Sequence, residues 1–135
     1  MQPDTRNRII GQSSLAHGER VARILLVEDE PDLLLLLEHT LHAAGHEVNS
    51  VTTLAAALAL LRRHSYDLVL ADGQLADGTG MMVADAATPR GAKALIMTGY
   101  AFTLPREELT RYPYLLKPVR PDELLAEIAR ILGDS

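Results

Sequence analysis

The sequence contains no cysteine, which excludes disulfides, thiolate catalysis and thiolate metal sites. It also lacks any apolar run near the roughly 20 residues of a membrane-spanning helix, and its start lacks the apolar core of a signal peptide. The net charge of −5 leaves no excess of basic residues, which argues against the nucleic-acid backbone as the main partner. We therefore expect a cytoplasmic protein that binds neither nucleic acid nor membrane.

The residues that are present suffice for one folded domain. A chain of 135 residues with 47% hydrophobic residues can bury a substantial core but has no room for a second domain. Residues 1–20 mix polar residues, glycine and serine without periodicity. They are predicted to form a flexible tail, with a short helical turn as the alternative. The domain is predicted to span residues 21–135 and to stand alone, without an effector domain.

Short apolar runs alternate with helical patterns along the chain. The predicted strands are 22–27, 47–51, 68–71, 93–98 and 114–116, and the predicted helices are 33–44, 54–64, 80–87, a short fourth between 100 and 113, and a last one from Pro121. Strands that alternate with helices form parallel sheets with right-handed crossovers. We predict an α/β fold, a doubly wound five-stranded parallel sheet in the flavodoxin-like order 2-1-3-4-5 with helices on both faces.

The first predicted helix is unusually rich in leucine. Pro31 suits its first turn and Gly45 is a typical left-handed cap at its end. The five consecutive leucines at 33–37 extend beyond one apolar stripe, so we expect this helix to be covered on more than one side. The second helix is expected to be capped by Thr52 or Thr53.

Polar side chains stand where four of the five predicted strands end. Glu28 and Asp29 follow the first strand, Asp72 the third, Thr98 ends the fourth and Lys117 follows the fifth. Because parallel strands end at the same edge of a sheet, these side chains are expected to converge. In the order 2-1-3-4-5, the switch point lies between strands one and three, beside Asp29 and Asp72. This agreement favours a functional Asp72 over the alternative that it only begins a turn.

Three acids in one pocket restrict what the site can hold. Two carboxylates about 4 Å apart repel by roughly 4 kcal/mol at an effective dielectric of about 20, so a cation or a bound proton is needed. Oxygen donors alone suit a hard ion such as Mg²⁺. The hydroxyl of Thr98 and the ammonium of Lys117 are groups that hold a phosphoryl oxygen, and an aspartate can accept a phosphoryl group covalently. The residues therefore predict a metal-assisted phosphoryl acceptor.

With these motifs in this order, the sequence resembles a response-regulator receiver domain of two-component signalling, in its single-domain form. The resemblance covers residues 21–133 and is carried by Glu28–Asp29, Asp72, Thr98–Gly99 and Lys117–Pro118. It implies that Asp72 is the phosphoacceptor of a His-to-Asp phosphorelay, served by a sensor histidine kinase or a histidine phosphotransfer protein. Phosphorylation would shift the conformation of the domain and its binding to a downstream protein target. The domain would catalyse only its own phosphorylation and a slow autodephosphorylation.

The resemblance also implies a role for each site residue. Asp29 and Asp72 would bind Mg²⁺ directly together with the backbone carbonyl of Gln74, and Glu28 would act through metal-bound water. Thr98 would hydrogen-bond the phosphoryl group.

Two further roles follow from the resemblance at the last strand. Lys117 would pair with the phosphoryl group, and the Lys117–Pro118 bond would be cis, an isomer that is accessible mainly before proline. Tyr114 would be the switch aromatic that turns inward when Thr98 is drawn to the phosphate, with a half-buried core tyrosine as the alternative.

The sequence departs from the family at two places. Ala76 stands where the family usually has proline, four residues after the acceptor. The segment between Thr98 and Lys117 is shorter than usual, and Tyr112–Pro113 replaces a small-residue turn. The fourth helix is therefore predicted to be short, displaced or irregular.

Three alternatives to a stand-alone phosphoacceptor remain open. The first is a phosphate-independent protein-interaction module of receiver fold. The second is a Mg²⁺-dependent phosphatase, which typically has a second acid two residues after the nucleophile, where Gln74 stands. The third is a receiver fragment of a larger hybrid kinase or regulator. Among the other candidates, Asp77 and Glu30 are predicted to be solvated turn acids, and His39 and His42 surface residues.

Overall fold

A computed structural model of the chain describes residues 21–99 and 111–133. Its strands are β1 (Arg23–Val27), β2 (Glu47–Val51), β3 (Leu68–Asp72), β4 (Gln74–Leu75), β5 (Gly78–Thr79), β6 (Lys93–Thr98) and β7 (Tyr114–Leu116). Five of them form one parallel sheet in the order β2-β1-β3-β6-β7, and β4 and β5 form a small antiparallel hairpin. With the hairpin set aside, this is the predicted order 2-1-3-4-5, and the predicted fold class is confirmed.

The helices begin and end at local signals in the sequence. They are α1 (Pro31–Ala43), α2 (Leu54–Arg63), α3 (Gly80–Ala87) and α4 (Pro121–Gly133), with a 3₁₀ turn at Thr88–Arg90. Pro31 occupies the first turn of α1, and the hydroxyl of Thr53 caps α2 by accepting the N–H of Ala56 at 3.0 Å. Gly45 follows α1 with φ +94°, a left-handed conformation that suits glycine.

The sheet separates two hydrophobic clusters. Side chains alternate along the strands, so Leu25 and Val27 of β1 face one cluster while Ile24 and Leu26 face the other. The first cluster is closed by α2 and α3, and the second by α1 and α4. All five residues of β3 are buried, as expected for a central strand covered on both faces. Asp72 is the last of these residues, so the strand carries its carboxylate to the rim of the core.

The leucine run of α1 corrects one expectation. Leu37 is buried, but Leu35 is 64% exposed and Leu36 is 44% exposed. The helix therefore packs against the sheet along one face only, and the prediction that it is covered on more than one side is wrong for the described chain. One helical turn advances by 3.6 residues, so five adjacent leucines cannot all face the same side.

Two predictions concern residues outside the described ranges. The predicted tail at residues 1–20 lies there, and so does most of the predicted fourth helix, because residues 100–110 are not described. Within residues 21–99 and 111–133, no helix combines the length and apolar character that crossing a membrane requires.

His46 gives the fold a pH dependence that can be measured. Its Nδ1 accepts the N–H of Ala22 at 3.0 Å, which requires the unprotonated ring, and burial lowers the pKa of His46 below its ordinary value of 6.5. The unfolded chain therefore binds the proton first, and stability is expected to fall as the pH decreases from 6.5 through the lower folded pKa.

The measurement is urea unfolding at several pH values between neutral and mildly acidic. A His46→Asn variant keeps an oxygen acceptor near the position of Nδ1 but cannot titrate there, so its free energy of unfolding should decline less steeply than that of the wild type. If the free energy of unfolding falls with pH equally in the wild type and in His46→Asn, His46 does not contribute to the pH dependence.

Candidate functional site

The carboxyl edge of the sheet gathers the polar residues predicted from the strand ends. Glu28 and Asp29 directly follow β1, Asp72 ends β3, Thr98 ends β6, and Lys117 follows β7. β1 and β3 are neighbours, and the chain leaves β1 for β2 on one side and β3 for β6 on the other, which makes their ends the switch point of the sheet. Side chains separated by up to about ninety residues in sequence therefore share one pocket.

Three carboxylates and one ammonium lie close together in this site. Glu28, Asp29 and Asp72 each offer one carboxylate oxygen, and these oxygens all lie within 4.8 Å of one another. The Nζ of Lys117 lies 3.0 Å from Oδ2 of Asp72 and 3.3 Å from Oε1 of Glu28. Glu28 is fully buried, Asp72 is 7% exposed and Asp29 is exposed. The site thus has a buried interior and an open side at Asp29.

Burial, hydrogen bonds and neighbouring charges together shift the pKa values of Glu28 and Lys117. Burial raises the pKa of Glu28, the N–H of Glu30 opposes this by donating to Oε2 at 3.0 Å, and the neighbouring charge of Asp72 raises it again. Burial alone would lower the pKa of Lys117, but the hydrogen bond to Asp72 and the two nearby carboxylates outweigh it and raise that pKa. The ammonium is therefore firmly charged at neutral pH and offsets part of the acidic charge.

One oxygen of the buried acid is left without a hydrogen bond. Oε1 of Glu28 is buried and has no hydrogen-bond partner among the described residues, although the ammonium of Lys117 is close enough for ion pairing. The ion pair with Lys117 offsets part of the cost of burying this oxygen. Three carboxylates opposed by one ammonium, with oxygen donors only, have the chemistry of a hard-cation site.

Three glycines in and after the acceptor loop allow close packing, two of them next to Asp72. A Cβ on Gly80 would lie 2.4 Å from the backbone oxygen of Asp72, and a Cβ on Gly73 would lie 3.1 Å from Cβ of Thr98. A Cβ on Gly78 would lie 2.4 Å from Cδ2 of Leu54, the end of a flexible side chain. The sequence interpretation did not assign these roles. The signal was the density of glycine at positions 73, 78 and 80, which marks close backbone approaches as well as turns.

The remaining predicted residues surround the acid. Gln74 is exposed, and its N–H donates to Oδ1 of Asp72 at 3.1 Å. Thr98 is buried, next to Gly73. Tyr114 is 40% exposed on the edge strand β7, and the Lys117–Pro118 bond is cis.

The sequence matches the family described as response regulator receiver domain over residues 24–129. The chain belongs to this family. Among curated proteins, this receiver domain is 33% identical over 114 residues to the response regulator protein FleR of Pseudomonas aeruginosa, covering 81% of the chain and 24% of FleR. The chain therefore spans about a quarter of the length of that relative.

Solved structures agree with the fold of the receiver domain. A CheY-like receiver domain protein from Methanospirillum hungatei superimposes with a TM-score of 0.74 at 30% identity, covering 85% of this chain and 96% of that one. The receiver domain of sensor histidine kinase PA1611 from Pseudomonas aeruginosa gives a TM-score of 0.73 at 27% identity, covering 86% of this chain and all of that one. That structure has a magnesium ion coordinated in the active-site cleft.

Proposed function

We propose that this receiver domain accepts a phosphoryl group on Asp72 in a Mg²⁺-dependent reaction, with a phosphohistidine of a sensor histidine kinase or phosphotransfer protein as the donor. The observation that carries the proposal is the arrangement around Asp72. Its carboxylate lies at the carboxyl edge of a parallel sheet, 3.0 Å from the ammonium of Lys117 and beside two further acids. An acid at this position lies at the rim of the core, beside an ammonium that can balance part of the added negative charge.

Glu28, Asp29 and Asp72 fit a magnesium ion. Their donors are all oxygens, which Mg²⁺ prefers, and three carboxylates opposed by the single ammonium of Lys117 favour a further cation there. The family resemblance adds the backbone carbonyl of Gln74 to this set and gives Glu28 a role through metal-bound water. When bound, Mg²⁺ would neutralise charge on the transferring phosphoryl group.

The chain's own groups account for the transfer itself. A carboxylate oxygen of Asp72 forms a bond to phosphorus while the bond from phosphorus to the donor imidazole nitrogen breaks, and that nitrogen keeps the electron pair. Lys117 is held charged beside the acceptor and stabilises the negative oxygens of the phosphoryl group. The hydroxyl of Thr98, at the neighbouring strand end, would donate to a phosphoryl oxygen.

Phosphorylation would change the charge balance of the pocket and thereby the conformation. The phosphoryl group adds about −1.5 to −2 charge beside Glu28 and Asp29 and competes with Asp72 for Lys117. A movement of Thr98 toward the phosphate, followed by an inward turn of Tyr114, would transmit the change to a protein target. A nearly complete switch requires a preference of about 5.5 kcal/mol for one conformer.

The test is intact mass spectrometry after incubation with acetyl phosphate. We expect the wild-type protein to gain the mass of one phosphoryl group with Mg²⁺ and none when the metal is removed with EDTA, because the three acids repel the donor without a cation. Absence of any mass gain with Mg²⁺ would favour a phosphate-independent interaction module instead. Phosphotransfer profiling against the histidine kinases of the source organism would then identify the donor. The cytoplasmic location stays a prediction.

A further inference from the structure

The loop that follows the acceptor is tied to a distant helix by one side chain. Oδ1 of Asp77 accepts the N–H of Leu54 at 2.8 Å, and Oδ2 accepts the N–H of Ala55 at 3.0 Å. The next N–H of α2, from Ala56, is bound by Thr53 at 3.0 Å. The start of α2 is thus capped by two side chains. Thr53 directly precedes the helix, and Asp77 lies more than twenty positions further along the chain.

Asp77 lies in the turn of the hairpin formed by β4 and β5. The hairpin pairs Gln74 with Thr79 and Leu75 with Gly78, so Asp77 is directly beside its last pair. A two-stranded hairpin with two residues on each strand has little stability of its own. Its position therefore depends on what holds its turn.

The hairpin is also packed tightly at both ends. Gly78 contacts Leu54 so closely that a Cβ would lie 2.4 Å from its Cδ2, and the N–H of Gly80 donates to the carbonyl of Gly73 at 3.2 Å. At the other end, the N–H of Gln74 donates to the acceptor carboxylate. The chain from the acceptor to α3 is therefore held between the sheet and α2.

We propose that Asp77 is a positioning residue for the phosphoryl-transfer site: by binding the start of α2 it fixes the hairpin, and so keeps the backbone of Gln74 beside Asp72. This inference rests on the proposed function. The sequence interpretation of Asp77 as a solvated turn acid is right about its exposure but misses this contact. The N–H donors of Leu54 and Ala55 lower the pKa of Asp77, so its carboxylate is in the charged form that these donors bind best.

A comparison of Asp77 with Thr53 separates positioning from helix capping. Both side chains bind N–H groups of the same helix end, but only Asp77 connects that end to the hairpin. Thr53→Ala is therefore the matched control, since it weakens the same helix and leaves the hairpin contact in place. Asp77→Asn is the conservative variant, because its amide oxygen can still accept one of the two N–H groups.

Two measurements are made on each folded protein: the Mg²⁺ affinity by calorimetric titration, and the hydrogen exchange of the amides of residues 74–79 in the absence of metal. Asp77→Ala is expected to weaken Mg²⁺ binding about tenfold, at the lower end of the range for residues that orient metal ligands. Its hairpin amides should also exchange faster than those of the wild type. Asp77→Asn should have a Mg²⁺ affinity and a hairpin exchange rate between those of Asp77→Ala and the wild type. Thr53→Ala should keep the wild-type affinity and hairpin exchange.

Equal losses of Mg²⁺ affinity in Asp77→Ala and Thr53→Ala would overturn the inference, since Asp77 would then act only as a helix cap. Unchanged hairpin exchange in Asp77→Ala would overturn it as well, whatever the metal result. A wild-type protein that binds no Mg²⁺ and accepts no phosphoryl group would instead refute the proposed function. The exchange measurement requires neither Mg²⁺ nor a phosphoryl donor. Failure of the positioning role can therefore be told apart from failure of the proposed function.

Discussion

An Asp72→Asn variant is expected to gain no phosphoryl group from acetyl phosphate and Mg²⁺ while the wild-type protein is labelled. An amide lacks the negative oxygen that attacks phosphorus, and it removes one of the three charges gathered around the predicted metal. The rate of labelling should fall roughly a thousandfold or more, as is typical when a covalent nucleophile is removed. Intact mass measured over time is the readout.

The control for Asp72→Asn is the same substitution at an exposed acid. Asp122 lies on α4 and pairs only at the surface with Arg120, so Asp122→Asn should be labelled like the wild type. Circular dichroism of both variants establishes that they are folded. If Asp72→Asn is labelled as fast as Asp122→Asn, another residue is the acceptor and the proposed function is wrong.

The second large effect is expected from Gly80→Ala. The new Cβ would lie 2.4 Å from the backbone oxygen of Asp72, about 1 Å closer than ordinary contact allows. The neighbouring atoms belong to the backbone of a buried strand, so no flexible side chain can yield. Overpacking of this kind costs about 2–3 kcal/mol of unfolding free energy. A displacement of about 1 Å at the acceptor can slow its reaction about 100-fold.

Gly99→Ala is the matched control for the glycine prediction. Among residues 21–99 and 111–133, a Cβ there would meet only an ordinary contact, 3.8 Å from Cβ of Lys117. Its unfolding midpoint in urea should therefore remain near that of the wild type, while that of Gly80→Ala falls. Equal midpoints for Gly80→Ala and the wild type would mean that α3 can shift away without loss, contrary to the close packing described above.

Much of the fold could be predicted because its signals are local. Strand runs and helical patterns placed β2, β6, β7 and α3 with the bounds that the structure has, and Pro31 and Thr53 mark helix starts that depend only on nearby backbone. The alternation of strands and helices indicates a doubly wound sheet, and 2-1-3-4-5 is one of the common orders of such sheets. The gathering of Asp29, Asp72 and Lys117 could be predicted because parallel strands all end at the same edge of the sheet.

Other features could not be predicted because they depend on contacts between distant segments. The bond from Asp77 to the start of α2 joins residues more than twenty positions apart, and no local pattern indicates it. The hairpin strands of two residues are too short for alternation to be visible. In the leucine run of α1, composition alone did not reveal which side faces the sheet, and Leu35 and Leu36 proved to lie outside.

The division of the core by the sheet has a consequence for how this domain can diverge. In the part of the chain that the structure describes, the layer under α2 and α3 and the layer under α1 and α4 form separate clusters on opposite faces of the sheet. Substitutions on opposite layers therefore have few common neighbours, and their energetic effects should be nearly independent. Residues of one layer can then be substituted, and the binding specificity of that face can change, without a loss of packing in the other layer.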